Sequence, residues 1–190
     1  MNLFLSPNTL IIDSSNIRNI NGTEFLGRNY ADKWKKGIKI NVLMTSTGVP
    51  LNIQITKGDT HDMSVMESVF TYVTTKFKSS RRYRINILGD KGYTSKEYEK
   101  KFLDKKINYI VPKKKYNKNK NKKELPEPDI LRKHRYKVER YFANLKQYTR
   151  LRFMYDRKIE TYKSFLILGI LGNLSNKIDE NGILIPPKLK

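Results

Sequence analysis

The chain has no cysteine and only two histidines, His61 and His134, in 190 residues. The first absence excludes disulfides, thiolate-bound zinc and a cysteine nucleophile, and the second excludes a three-histidine metal site. A metal site built from this chain must therefore rest on carboxylates, whose hard oxygen donors suit Mg²⁺ or Mn²⁺. Long apolar runs are missing as well. The longest, Phe165 to Leu171, falls far short of the roughly 20 residues that span a bilayer. No basic start followed by an apolar stretch marks a signal peptide. The chain reads as soluble, with no membrane-spanning segment.

Acidic residues are scarce. Eighteen Asp and Glu face 39 Lys and Arg, a formal charge of +21. Such an excess calls for a polyanionic partner: nucleic acid first, an anionic membrane surface second, ribosomal-type binding third. The basic residues are spread along the chain and are not confined to a tail. The length suits one domain with a real core.

Residues 1–8 read as a short tail. Thr9 to Asp13 is an apolar run ending in a carboxylate, which predicts a short buried strand broken by Ser14, Ser15 and Asn16. A strand this close to the start suggests a missing upstream segment. Gly27 to Gly37 is a basic, glycine-punctuated loop carrying the sole tryptophan, Trp34, read as a core or capping residue. Lys39–Ser46 and Leu51–Thr56 alternate in polarity around Thr47-Gly48-Val49-Pro50, predicting an antiparallel hairpin. Asp62 is read as the N-cap of a helix over Met63–Phe77. Ile85–Leu88 predicts a second buried strand, followed by Gly89-Asp90. A helix over Ser95–Lys105 and a strand over Ile107–Val111 complete a parallel crossover.

Residues 113–128 form a lysine- and asparagine-rich segment that cannot bury a core and reads as a mobile basic loop. It is either a solvated loop or a clamp on DNA phosphates, with Lys113, Lys114 and Lys115 as candidate contacts. A helix is predicted over His134–Arg152, where Val138, Tyr141, Phe142, Leu145 and Tyr148 recur at helical spacing. Arg135, Glu139 and Lys146 lie within about 40° of one another on that helix, a polar stripe beside the apolar face. Taken alone, the stripe is a solvated face with i,i+4 charge pairs. A last helix, Thr161–Lys177, is apolar nearly all round and is expected to be buried. Residues 179–190 read as a tail, leaving 9–178 as the folded domain.

Two predicted strands thus end in aspartates, Asp13 and Asp90. In open α/β sheets, ligands collect at the carboxyl ends of strands. Adjacent parallel strands would bring both carboxylates to one edge, where a later helix could add Glu139. Three converging carboxylates need divalent cations to offset their repulsion. Such a site suits two-metal phosphodiester chemistry.

Six blocks occur in order: Ile11-Ile12-Asp13-Ser14-Ser15, Gly37-Ile38-Lys39-Ile40, Gly48-Val49-Pro50-Leu51, Thr56-Lys57-Gly58-Asp59-Thr60-His61-Asp62, Asp90-Lys91-Gly92-Tyr93, and Arg135-Tyr136-Lys137-Val138-Glu139-Arg140-Tyr141-Phe142. Together, over roughly Leu10–Gly172, they resemble the catalytic domain of bacterial-type insertion-sequence DDE transposases. The resemblance implies an α/β, RNase H-like fold: a mixed five-stranded sheet flanked by helices, its first and fourth strands adjacent and parallel. It implies that Asp13, Asp90 and Glu139 are catalytic and bind Mg²⁺ or Mn²⁺. It also implies that Arg135 and Lys146 hold the DNA backbone. The family's helix motif places a tyrosine where this chain has Arg132, which is carried as a DNA-contact candidate and as a departure. Implied partners are transposon-end and target DNA and further copies of the chain, acting in the cytoplasm or on the nucleoid. The implied activity is cleavage of transposon ends and strand transfer. A truncated or domesticated remnant that binds nucleic acid without transposing is the alternative, and a resolvase or RNase H-like nuclease is a third reading.

Overall fold

Strand β1 (Thr9–Asn19) sets the frame. The structure, a computed structural model, describes residues 8–29, 33–80, 83–112 and 128–175. β1 does not stop at Asp13. It runs through the Ser-Ser-Asn stretch because β3 (Lys35–Thr45) pairs with it antiparallel over nine positions, from Leu10–Thr45 to Arg18–Gly37. The ladder satisfies backbone groups that serine and asparagine would otherwise compete for, and tertiary pairing overrides their turn preference. Ser14 lies opposite Asn41, and Asn16 opposite Lys39, so polar faces polar across the pair.

The predicted hairpin is present. β3 returns as β4 (Pro50–Lys57), with Gly48 at φ 90° closing the turn, a conformation that favours glycine. β5 (Asn86–Leu88) runs parallel to β1, and β6 (Asn108–Ile110) parallel to β5. These are the five expected strands, in the order β4-β3-β1-β5-β6. Two short ones join them. β2 (Gly27–Asn29) pairs with the start of β3, and β7 (Phe153–Met154) pairs in parallel with Arg18 and Asn19 at the end of β1.

Period-two alternation sends β1 residues to opposite faces. Ile11 and Ile17 join one core with Val42, Leu88 and the inner residues of α3 (Asp129–Leu145) and α5 (Ile159–Ser175). Leu10 and Ile12 join the other with Leu43, Ile87, α1 (Met66–Lys76) and α2 (Lys96–Asp104). The result is a sheet covered by helices on both faces.

Three expectations are corrected here. The helix predicted over His134–Arg152 starts earlier, where the Pro128 carbonyl accepts from Leu131 and Arg132, and ends at Leu145. Lys146 caps it, and a separate turn, α4 (Thr149–Arg152), follows. α5 is not buried all round. Tyr162, Leu166 and Gly169 face the core, while Ile167, Leu168 and Leu171 are exposed; an outer helix has only one core to face. Trp34 is exposed in a left-handed backbone conformation, not packed in the core. Residues 1–7 and 113–127, residues 176–177 of the expected last helix and the C-terminal tail lie outside the described residues. Among the described residues, no helix is long and apolar enough to cross a membrane.

Candidate active site

β5 stops at Leu88, opposite Ile11, while β1 continues. Two residues past that last pair come Asp13 on one strand and Asp90 on the other. The sheet opens into a notch here, and a small cleft forms between the strand ends and α3. Asp13 and Asp90 are its acidic wall, Leu131 and Val138 its apolar one, and Arg135 its single cation among the described residues. Two aspartates predicted from strand ends thus do meet, although only Asp90 lies beyond its strand.

Each aspartate is held by backbone. Asp13 Oδ1 accepts from the Ser14 amide at 2.8 Å. Asp90 Oδ1 accepts from the Gly92 amide at 2.7 Å, capping the short 3-10 turn Lys91–Tyr93. The Tyr109 hydroxyl donates to the Tyr93 carbonyl and ties that turn to β6. The Asp13 carboxyl is pushed up to about 6, first by burial and then by the charge of Asp90. The Ser14 amide and Arg135 act in the opposite sense, and Asp62 adds to the rise.

The remaining predicted residues are distributed along α3. Glu139 does not line the cleft. Its Oε1 receives Arg135 Nε at 3.2 Å, both side chains more than half exposed. Among the described residues, no three histidine or carboxylate side chains are grouped closely enough to hold a metal ion. Arg132 pairs with Asp129 at 2.8 Å in solvent and is not part of the cleft. Lys146 stands at the far end of α3, eleven residues or about 16 Å from Arg135, with its ammonium pKa lowered by burial. Lys113, Lys114 and Lys115 lie outside the described residues.

One residue was misread. Asp62 caps nothing; His61 Nδ1 takes the Met63 amide instead. Asp62 Oδ1 accepts from Ser14 Oγ at 3.0 Å and from the buried Lys39 Nζ at 2.9 Å. The signal was a lysine inside a strand flanked by Ile38 and Ile40, since a buried ammonium needs a counter-charge.

Asp13 and Asp90 fit a hard divalent cation. Both are oxygen donors on one cleft, and the mutual repulsion that lifts Asp13 is what a bound cation would relieve. Tyr93 supports this fit: its fully buried hydroxyl makes no hydrogen bond of ordinary geometry, interacts weakly with Ser14, and lies within the influence of Asp62, Asp13 and Asp90.

The sequence profile of the Transposase DDE domain family matches residues 5–174. Over 171 residues, 88% of this chain and 74% of the relative, the chain is 25% identical to a putative transposase for insertion sequence element IS402 of Burkholderia cepacia. A solved intasome chain of simian T-cell lymphotropic virus, in complex with PP2A regulatory subunit B56 gamma, aligns with 98% of this chain and 57% of its own length, at 13% identity and a TM-score of 0.54. A chain of the piggyBac transposase synaptic complex with hairpin DNA aligns with 64% of this chain at 23% identity and a TM-score of 0.43. This chain spans only a quarter of that one's length. The fold is RNase H-like, and the chain belongs to the transposase DDE domain family.

Proposed function

We propose that this chain cleaves DNA at the ends of a mobile element and joins the freed 3′ end to target DNA, using Asp13, Asp90 and Glu139. The observation that carries the reading is that Asp13 and Asp90, each two residues past the last β1–β5 pair, line one cleft together with Arg135 of α3. Mg²⁺ or Mn²⁺ held by the carboxylates would activate the attacking oxygen and stabilise the leaving one. Asp13 and Asp90 hold their orientation through amide hydrogen bonds, so little reorganisation is required of them. Arg135 offers a planar donor array to a phosphate at the cleft mouth. The net charge of +21 favours the DNA backbone generally. DNA ends and further copies of the chain are the proposed partners, wherever host DNA is accessible.

Incubation with duplex DNA carrying the cognate end tests this. Nicking should require Mg²⁺ or Mn²⁺, stop with EDTA, and be lost in Asp13→Asn, Asp90→Asn and Glu139→Ala. Variants that nick as fast as the parent would overturn the assignment. The placement of Glu139 outside the cleft favours a second reading, a DNA-binding remnant without cleavage. On that reading the parent binds DNA yet nicks no faster than the Asp13→Asn variant.

A further inference from the structure

Asp62 approaches the Asp90 turn from the opposite side of the sheet to α3. Its partners Ser14 and Lys39 lie on the α1 face, whereas Asp13 points toward α3. One oxygen, Oδ1, is fully engaged by Ser14 Oγ and Lys39 Nζ. Lys39 is itself anchored to the Thr60 carbonyl at 2.6 Å. The other oxygen faces the Asp90 turn. A Cβ placed on Gly92 would stand 2.8 Å from Asp62 Oδ2 and 2.9 Å from Asp90 Oδ1, so both carboxylates look at the same point.

A second observation marks this as more than an acidic cluster. The fully buried Tyr93 hydroxyl makes no hydrogen bond of ordinary geometry and interacts only weakly with the Ser14 side chain. After burial, the charges of Asp62 and Asp13 and then of Asp90 raise its pKa, and Ser14 acts in the opposite sense. An unsatisfied donor in such a place costs stability unless something joins it to its neighbours.

We propose that Asp62 is a positioning residue of the site, which raises the affinity of the Asp13–Asp90 cleft for a divalent cation while Lys39 attenuates it. This rests on the proposed function above. Lys39 and Ser14 fix where the Asp62 charge sits, and its free oxygen adds negative potential beside Asp90. The arrangement makes the two partners of one salt bridge act in opposite directions. A bridge that merely staples β3 to the turn after β4 would make them act alike.

The test is binding of Mn²⁺ alone to the full 190-residue chain without DNA, by titration calorimetry or by the paramagnetic resonance of free Mn²⁺, with thermal melts alongside. Asp62→Asn retains an oxygen for Ser14 and Lys39, and should weaken Mn²⁺ binding roughly threefold to tenfold. Lys39→Met should tighten binding, and an affinity no higher than the parent's would overturn the attenuating role of Lys39. Either variant that folds decides the matter. Unchanged affinity in Asp62→Asn, or a loss in Lys39→Met matching that of Asp62→Asn, overturns the proposal. Asp13→Asn separates the two readings. If it abolishes Mn²⁺ binding while Asp62→Asn does not alter it, the cation site stands and the role of Asp62 fails. If Asp13→Asn leaves Mn²⁺ binding intact, the cation site itself fails.

Discussion

Arg135 and Glu139 face each other across one turn of α3, Nε to Oε1 at 3.2 Å, with side chains 57% and 60% exposed. An exposed i,i+4 pair is worth only about 0.3–0.5 kcal/mol, so little holds Glu139 to its present partner. Glu139→Ala should therefore melt close to the parent, while Mg²⁺-dependent nicking disappears. A large drop in melting temperature would show that Glu139 supports the fold instead.

For Arg135 the expected phenotype concerns DNA. Arg135→Gln should weaken binding to all duplexes, and should reduce the slope of log affinity against log salt by about one. Fluorescence anisotropy at several salt concentrations measures both. An unchanged slope would remove Arg135 from the phosphate contacts.

Asp13 makes a stability prediction whose sign follows from its titration. Its folded-state value of about 6 stands above the ordinary 3.8. The folded chain therefore binds more protons than the unfolded chain between roughly pH 4 and 6, and this residue's contribution to stability falls as pH rises through that window. Asp13→Asn removes the loss. It should stabilise the protein at pH 7.5 by on the order of 1–3 kcal/mol and make no difference below pH 4. Melts at both pH values check this, and a destabilised variant at pH 7.5 would refute the burial argument.

Tyr93→Phe deletes a buried hydroxyl that makes no hydrogen bond of ordinary geometry and only a weak interaction with Ser14. Removing an unsatisfied polar atom of that kind is nearly neutral or stabilising, by up to about 1 kcal/mol. Urea denaturation in the absence of divalent cations is the measurement. A loss of several kcal/mol would mean that the hydroxyl is bonded.

The two sides of α5 should behave differently. Leu166→Ala empties a core position and should cost about 2–5 kcal/mol, whereas Leu168→Gln on the exposed side should stay within about 0.5 kcal/mol. Equal losses would place both leucines in a packed environment.

The sequence pattern carried the sheet well. Alternation marked the β3–β4 hairpin, and apolar runs located β5 and the first half of β1, because burial leaves a period-two or continuous apolar trace. Asp13 and Asp90 were legible for the same reason, as charges attached to buried runs. The rest of β1 was hidden, since Ser14 to Asn16 look like a turn until β3 is known to lie alongside. The site's other half was hidden differently. Asp62 resembles a helix cap locally, and only the fold brings Lys39 and Ser14 to it. The exposed Arg135–Glu139 pair was legible from helical spacing as an i,i+4 contact on a solvated face. The exposed side of α5 was misread because hydrophobicity reports what a helix could bury, not how many surfaces are offered to it.

The length of β1 has one more consequence. Asp13 sits in the interior of a strand, with Val42 opposite it in the β3 ladder and further pairs on both sides. Asp90 belongs to a single 3-10 turn, and Glu139 to an exposed helix face. On the proposed function Asp13 is the anvil of the cleft, Asp90 is held beside it by its turn, and Glu139 is the part that has to turn inward. A packing error at Val42, which touches no DNA on this reading, would therefore be felt as misalignment of the reaction before it was felt as unfolding.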